Sequence, residues 1–154
     1  MPVPEAVSQS LFETVRADLN PSAWAVFVKI LGIHSIVGFL STAVCDQFGM
    51  SPFQSGFSLS EYFMQFGHSV CMFLCGLLFM SLGVAAARIV LSLEEVRVFR
   101  SNAFLQVFVL CLISLGTFLA LGAEVVFVFA MIWFVGSLLG GLTIGWIPSR
   151  YPSK

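Results

Sequence analysis

The chain has 154 residues, of which 58% are hydrophobic and 10% charged, with a mean hydropathy of +0.99 and a formal net charge of −1. A soluble domain averages about 45–50% apolar and about 25% charged residues, so too few charges are present to solvate a soluble fold. A soluble enzyme, a nucleic-acid-binding domain and a disordered tail are excluded, and the near-zero charge argues against a polyanionic partner.

Residues 1–20, with Glu5, Glu13 and Asp18, are too polar for a cleavable signal or transit peptide. Within them Val7, Leu11, Val15 and Leu19 recur every four residues beside Phe12. That spacing predicts an amphipathic cytoplasmic helix whose apolar stripe docks on a protein partner or lies on the inner leaflet. Asn20-Pro21 reads as an N-cap and first helical residue. A first span follows over about 25–44, and three more over about 67–90, 103–121 and 125–147. Each is long enough to cross about 30 Å of hydrocarbon at 1.5 Å per residue. Residues 46–57, with Gly, Pro, Ser and three Phe, read as a loop folded over the mouth of the bundle. The capping box Ser58-Leu-Ser-Glu61 predicts that the second helix begins before the membrane and runs into it, and Ser92-Leu-Glu-Glu95 that the third begins there. Gly122-Ala123 turns the chain between the last two spans, and Pro148 ends the fourth, leaving 149–154 as a short tail.

The expected fold is therefore an all-α membrane protein, a four-helix transmembrane bundle over 21–148. All seven basic residues (Arg16, Lys29, Arg88, Arg97, Arg100, Arg150 and Lys154) fall on one side of a four-span topology. The positive-inside rule then makes both termini cytoplasmic, as in a bacterial inner-membrane protein, and turns Cys45–Phe66 and Glu124 outward. Gly136-xxx-Gly140 and Gly141-xxx-Gly145 in the fourth span, with Gly67, Cys71, Cys75, Gly83 and Ala87 in the second, form small-residue ridges. They predict close helix contacts, within the bundle or between copies of it.

Ionisable groups in or near hydrocarbon are costly and so are functional candidates. His34 and Cys111 fall near mid-depth, while Cys45, Asp46, His68, Cys71 and Cys75 form an outer tier, with Glu124 in the outer turn. His68, Cys71 and Cys75 stand at i, i+3 and i+7 on one stripe that Glu61 extends. If the stripe faces the first span, Cys45, His68 and Cys71 meet, as ligands for zinc or copper(I) or as a Cys45–Cys71 disulfide. The plain alternative is that the cysteines are small packing residues. Cys71 and Cys75, parallel on one helix, are poorly placed to bond to each other. His34 reads as a buried histidine satisfied by Ser35, Ser41, Thr117 or a backbone carbonyl. No CxxC, HExxH, Walker A, dinucleotide fingerprint or Ser-His-Asp set is present.

The stretch Leu11-Phe-Glu-Thr-Val-Arg-Ala-Asp-Leu-Asn-Pro21, followed by a helical bundle with outward cysteines, resembles the membrane-embedded anti-sigma regulators. Those proteins usually have six spans, against four here. The resemblance implies a cytoplasmic docking role for Leu11, Val15 and Leu19. The expected function is a non-enzymatic regulator, sensing thiol oxidation or metal outside and binding a cytoplasmic partner. The alternatives are a structural accessory subunit of a larger membrane complex and a redox or transport component using His34.

Overall fold

A computed structural model describes residues 21–45, 47–48, 59–123 and 125–147. The docking stripe Val7, Leu11, Val15 and Leu19, together with Asp46, Glu124 and the tail, lies outside these. Six helices follow in order: α1 (Ala23–Ser41), α2 (Leu59–Met64), α3 (His68–Val90), α4 (Leu93–Ser101), α5 (Ala103–Ala120) and α6 (Phe127–Trp146). Helices α1, α3, α5 and α6 are long and apolar enough to cross a membrane, and no strand occurs among the described residues. The chain is an all-α, four-span integral membrane protein.

Three helix starts differ from the sequence reading. Helix α1 is capped by Ser22, whose Oγ accepts from the Ala25 N–H at 3.1 Å, so Asn20-Pro21 lies before the cap. The second apolar stretch is not continuous with the helix before it. Successive turns bond Phe66 N to Phe63 O and Gly67 N to Met64 O, and Gly67 then takes φ +97°, breaking α2 from α3. The Ser92–Glu95 capping box is formed, but it opens the short amphipathic α4, and the third span starts only after Asn102.

The tightest seam joins α3 to α6, which run parallel. Gly136 lies against the Phe73 carbonyl, Gly140 against the Leu77 carbonyl and Gly76 against the Trp133 carbonyl. The fourth-span glycines are thus used inside the bundle, where missing side chains bring two backbones into contact. Gly141 receives Val107 and Met80, and Gly145 receives the Phe99 ring. Helix α1 packs antiparallel on α3, and α5 antiparallel on α6, giving the order α1–α3–α6–α5. Helices α1 and α5 close the ring only sparsely.

Polar bonds gather at one end. Arg88 donates to the carbonyls of Ile144 and Ile147, the latter at 2.6 Å, and Arg100 donates to that of Trp146 at 3.3 Å. Two guanidinium groups thereby cap the C-terminus of α6, whose last carbonyls lack helical partners. At the same end Lys29 of α1 pairs with Glu95 of α4 at 3.0 Å. Burial pushes the Glu95 carboxyl up, but the Ser92 N–H and Lys29 outweigh it and hold the group below its ordinary value. The ionised form therefore favours the fold, a contribution present above the usual carboxylate range of about 4.3 and lost as pH falls through the lowered value. Glu95→Gln keeps the capping box and removes the ion pair. At neutral pH it is expected to lower stability by about 0.5 kcal/mol, because Lys29 is exposed, and Glu95→Ala by about 1–1.5 kcal/mol. Thermal melts of wild type and Glu95→Gln should converge as the pH falls through the lowered value of Glu95; a gap that persists at the acid end, where the carboxyl is protonated in both states, would refute the assignment.

Candidate functional site

The opposite end of the bundle carries three of the four cysteines. Helix α1 stops at Ser41, and the chain then tightens through Ala43 N to Leu40 O, Val44 N to Ser41 O and Cys45 N to Ser41 O. These turns take the place of further regular helix between Ser41 and Cys45. Cys45 is held level with Cys75 and forms a disulfide with it, Cα to Cα 6.6 Å. The expected partner, Cys71, lies one helical turn nearer the start of α3 and keeps a free thiol. Its Sγ is 3.9 Å from the Cys75 sulfur and donates to the Ser60 carbonyl at 3.6 Å.

All three sulfurs are enclosed, their residues being 2–5% exposed beneath Leu59 and Phe63 of α2. The cover is tied down by the Leu59 N–H, which donates to the Val44 carbonyl at 2.9 Å. Short α2 thus covers a site that draws on α1 and α3.

His68 does not join the thiols. Its Nδ1 contacts the Met64 sulfur at 3.4 Å, and its ring stands edge-on to Phe129 of α6 at 4.2 Å. Sharing a helical stripe with Cys71 was insufficient, because positions three apart are offset by about 60° around the helix, enough for His68 to meet α6 while Cys71 meets Cys75 and α2. Among the described residues no three His, Cys, Asp or Glu groups gather as metal ligands. The zinc or copper(I) arrangement of Cys45, His68 and Cys71 is therefore not assembled here.

Just past the disulfide the chain dips into the bundle. Gln47, 1% exposed, accepts from the Trp133 indole N–H at 2.7 Å and donates to the Cys45 carbonyl at 3.4 Å. Phe48 then adopts φ +51°, a conformation that side chains disfavour by about 1–2 kcal/mol, and packs on Trp133 and Phe118. Sequence reasoning missed this plug. The available signal was a buried tryptophan, whose N–H needs an acceptor that an otherwise apolar helix cannot offer.

Deeper in the bundle, His34 Nε2 lies 3.1 Å from Ser114 Oγ, a partner different from those expected; Ser35 and Thr117 hydroxyls instead donate to the carbonyls of Leu31 and Ile113. The His34 ring is seated on Gly83 of α3, where an added Cβ would strike it, and stands edge-on to Phe79 at 5.0 Å. Cys111 is a buried thiol in the apolar core, apart from the other three. Compared with known proteins, the chain matches no family model, no curated protein and no solved structure at a significant level.

Proposed function

We propose that this membrane protein is a non-enzymatic regulator whose thiol–disulfide state at one membrane face is read by a protein partner at the other. The observation that carries the reading is a third thiol, Cys71, enclosed 3.9 Å from one sulfur of the Cys45–Cys75 bond. A thiol shut in apolar surroundings is inert, so the cover formed by α2 must lift before exchange begins. The Cys71 thiolate then attacks the Cys45 sulfur, a Cys45–Cys71 bond forms, and Cys75 leaves as the thiolate; no outside oxidant is needed. Alternatively an external dithiol reduces the bond, is itself oxidised to a disulfide, and leaves three thiols.

Lys29, Arg88, Arg97 and Arg100 stand at the end remote from the cysteines, which by the positive-inside rule assigns that end to the cytoplasm. The cysteines then face the oxidising side of a bacterial inner membrane, where disulfides persist. Residues 1–20 lead directly into α1, the helix that the bond ties to α3. A change in how α1 is held is therefore passed to the segment bearing Val7, Leu11, Val15 and Leu19, the stripe for a cytoplasmic protein. Metal sensing is the weaker arm, because the disulfide occupies Cys45, one of its ligands, and His68 faces elsewhere. An accessory-subunit role is favoured by one observation, that Gly32 of α1 and Gly116 of α5 have open space around them where a further helix can approach closely.

Intact cells labelled with a membrane-impermeant thiol reagent test the reading. Cys45 and Cys75 are expected to react only after prior reduction, and Cys111 only after denaturation. Reaction of Cys45 and Cys75 without reduction, or a partner that co-purifies equally with the Cys45→Ser, Cys75→Ser double variant under all redox conditions, would overturn it in favour of the accessory subunit.

A further inference from the structure

The sparse closure between α1 and α5 leaves a cleft of about 260 Å³ along the outer half of the bundle. Its floor is His34, Ser114 and Gly38, and its walls are Phe39, Phe79 and Phe118. The rim residues Phe39 and Ile113 are exposed on the lipid-facing side. Among the described residues no charged side chain lines the cleft. A ligand must therefore arrive through the bilayer and carry no charge where it binds.

The polar pair at the floor says more. His34 is 3% exposed, and its Nδ1, seated on Gly83, has no hydrogen-bond partner among the described residues. A proton on Nδ1 would be a buried donor with nothing to bond, which is the costlier way to leave an atom unpaired. The neutral ring accordingly carries its proton on Nε2 and donates to Ser114 Oγ. Among the described residues Ser114, unlike Ser35 and Thr117, makes no bond to the carbonyl four residues earlier. Its own O–H is thus left as a donor in the wall of an apolar, aromatic-sided cleft. Leaving such a donor dry is unfavourable, and water at this depth is scarce.

We propose that the cleft binds a membrane-soluble carbonyl compound with a flat ring, a quinone-type isoprenoid, whose carbonyl oxygen accepts from Ser114 while its ring lies among the three phenylalanines. The volume is just below the about 300–1,000 Å³ of common ligand pockets, which suits one substituted ring with its tail trailing through the lipid-facing mouth. The assignment is independent of the cysteine chemistry.

Trp133 provides the readout, since its ring is 5.6 Å from Phe79 and 5.8 Å from Phe118, both in the cleft wall. The full chain with Trp24→Phe and Trp146→Phe, in lipid nanodiscs, is titrated with decylubiquinone, and decylbenzene, which has the ring and tail but no carbonyl and does not quench tryptophan, is added as a competitor. Saturable quenching by decylubiquinone that equimolar decylbenzene does not relieve is expected. Ser114→Ala should weaken it about five- to tenfold, the value of one buried hydrogen bond, and Ser114→Thr should restore it to within about threefold. Thr117→Phe, at the rim, should abolish saturation while the melting temperature of the protein holds. Quenching that does not saturate, equal binding of decylbenzene, or affinity unchanged in a folded Ser114→Ala protein would each overturn the proposal and leave an ordinary acyl-chain groove.

Discussion

Replacing Gly136 or Gly140 with leucine is expected to abolish the folded bundle in detergent, whereas the same change at Gly32 or Gly116 is tolerated. A Cβ on Gly136 would press on the Phe73 carbonyl, with the Phe73 carbonyl carbon at 3.1 Å, and one on Gly140 would meet Ser81 Oγ at 2.7 Å as well as the Leu77 carbonyl. These are mostly backbone atoms, so no rotamer change relieves them, and α3 must move away from α6. Alanine at either position should already cost about 1–3 kcal/mol, as overpacking does. Leucine adds three more carbons against a seam that, in lipid, is held by close packing rather than by a hydrophobic force. That penalty draws on a total stability of only about 5–15 kcal/mol. Gly32 and Gly116 have nothing within 4 Å of the added carbon, and a helix gains by losing a glycine there. Gel filtration and thermal melts of the four leucine variants decide the matter. A folded Gly136→Leu bundle would show that the α3–α6 seam is not the principal contact.

That seam shows how far the residues alone speak. Spacing marked Gly136, Gly140, Gly141 and Gly145 as contact faces, because only small residues let helices approach closely. Spacing could not name the opposing helix, since rotation about each axis is unconstrained in a pattern. The four spans were legible because length and apolarity alone identify them. The two interruptions near them were harder to read. Gly67 ends one helical path through a positive φ, and Asn102 separates α4 from α5, yet the capping boxes before them predict helices that run on into the spans. The outer tier was legible as a set of thiols but not as a pairing. Cys45 meets Cys75 from turns that follow the end of α1 at Ser41, and a helix end of that kind leaves little mark on composition. Gln47 was passed over as one residue of a loop folded over the bundle mouth, although its role is fixed by Trp133, a residue 86 positions away in sequence.

Reduction of the Cys45–Cys75 bond is expected to lower the melting temperature and to shift Trp133 emission to the red, both reversibly. The bond closes a loop with a sequence separation of 30. For a chain freely unfolded in water, closure of such a loop contributes about 3–4 kcal/mol. In a membrane, α1 and α3 stay inserted after the bundle loosens, so the loss should fall well below that limit, at about 1–2 kcal/mol. The spectral change has a separate cause. Gln47 and Phe48 follow the disulfide by two and three residues, and the bond is what anchors the turn from which they enter the bundle. Once it opens, the unfavourable φ of Phe48 is no longer held in place, and the Trp133 N–H loses its acceptor to a wetter surrounding. Gln47→Ala separates the two effects, because it should redden Trp133 and cost about 1–3 kcal/mol while leaving the disulfide intact. Cys71→Ser tests the third sulfur. Its hydroxyl can still donate to the Ser60 carbonyl, so the oxidised protein should melt within about 1 kcal/mol of wild type, and only exchange is lost. Conversely, Cys75→Ala leaves Cys45 with Cys71 as its one neighbouring thiol. Oxidation should then bond Cys45 to Cys71, four residues or about 6 Å back along α3, and carry Gln47 away from Trp133. A Cys75→Ala protein that forms that bond with an unshifted Trp133 spectrum would show that the plug and the cysteines are mechanically independent, and with them the site and α1.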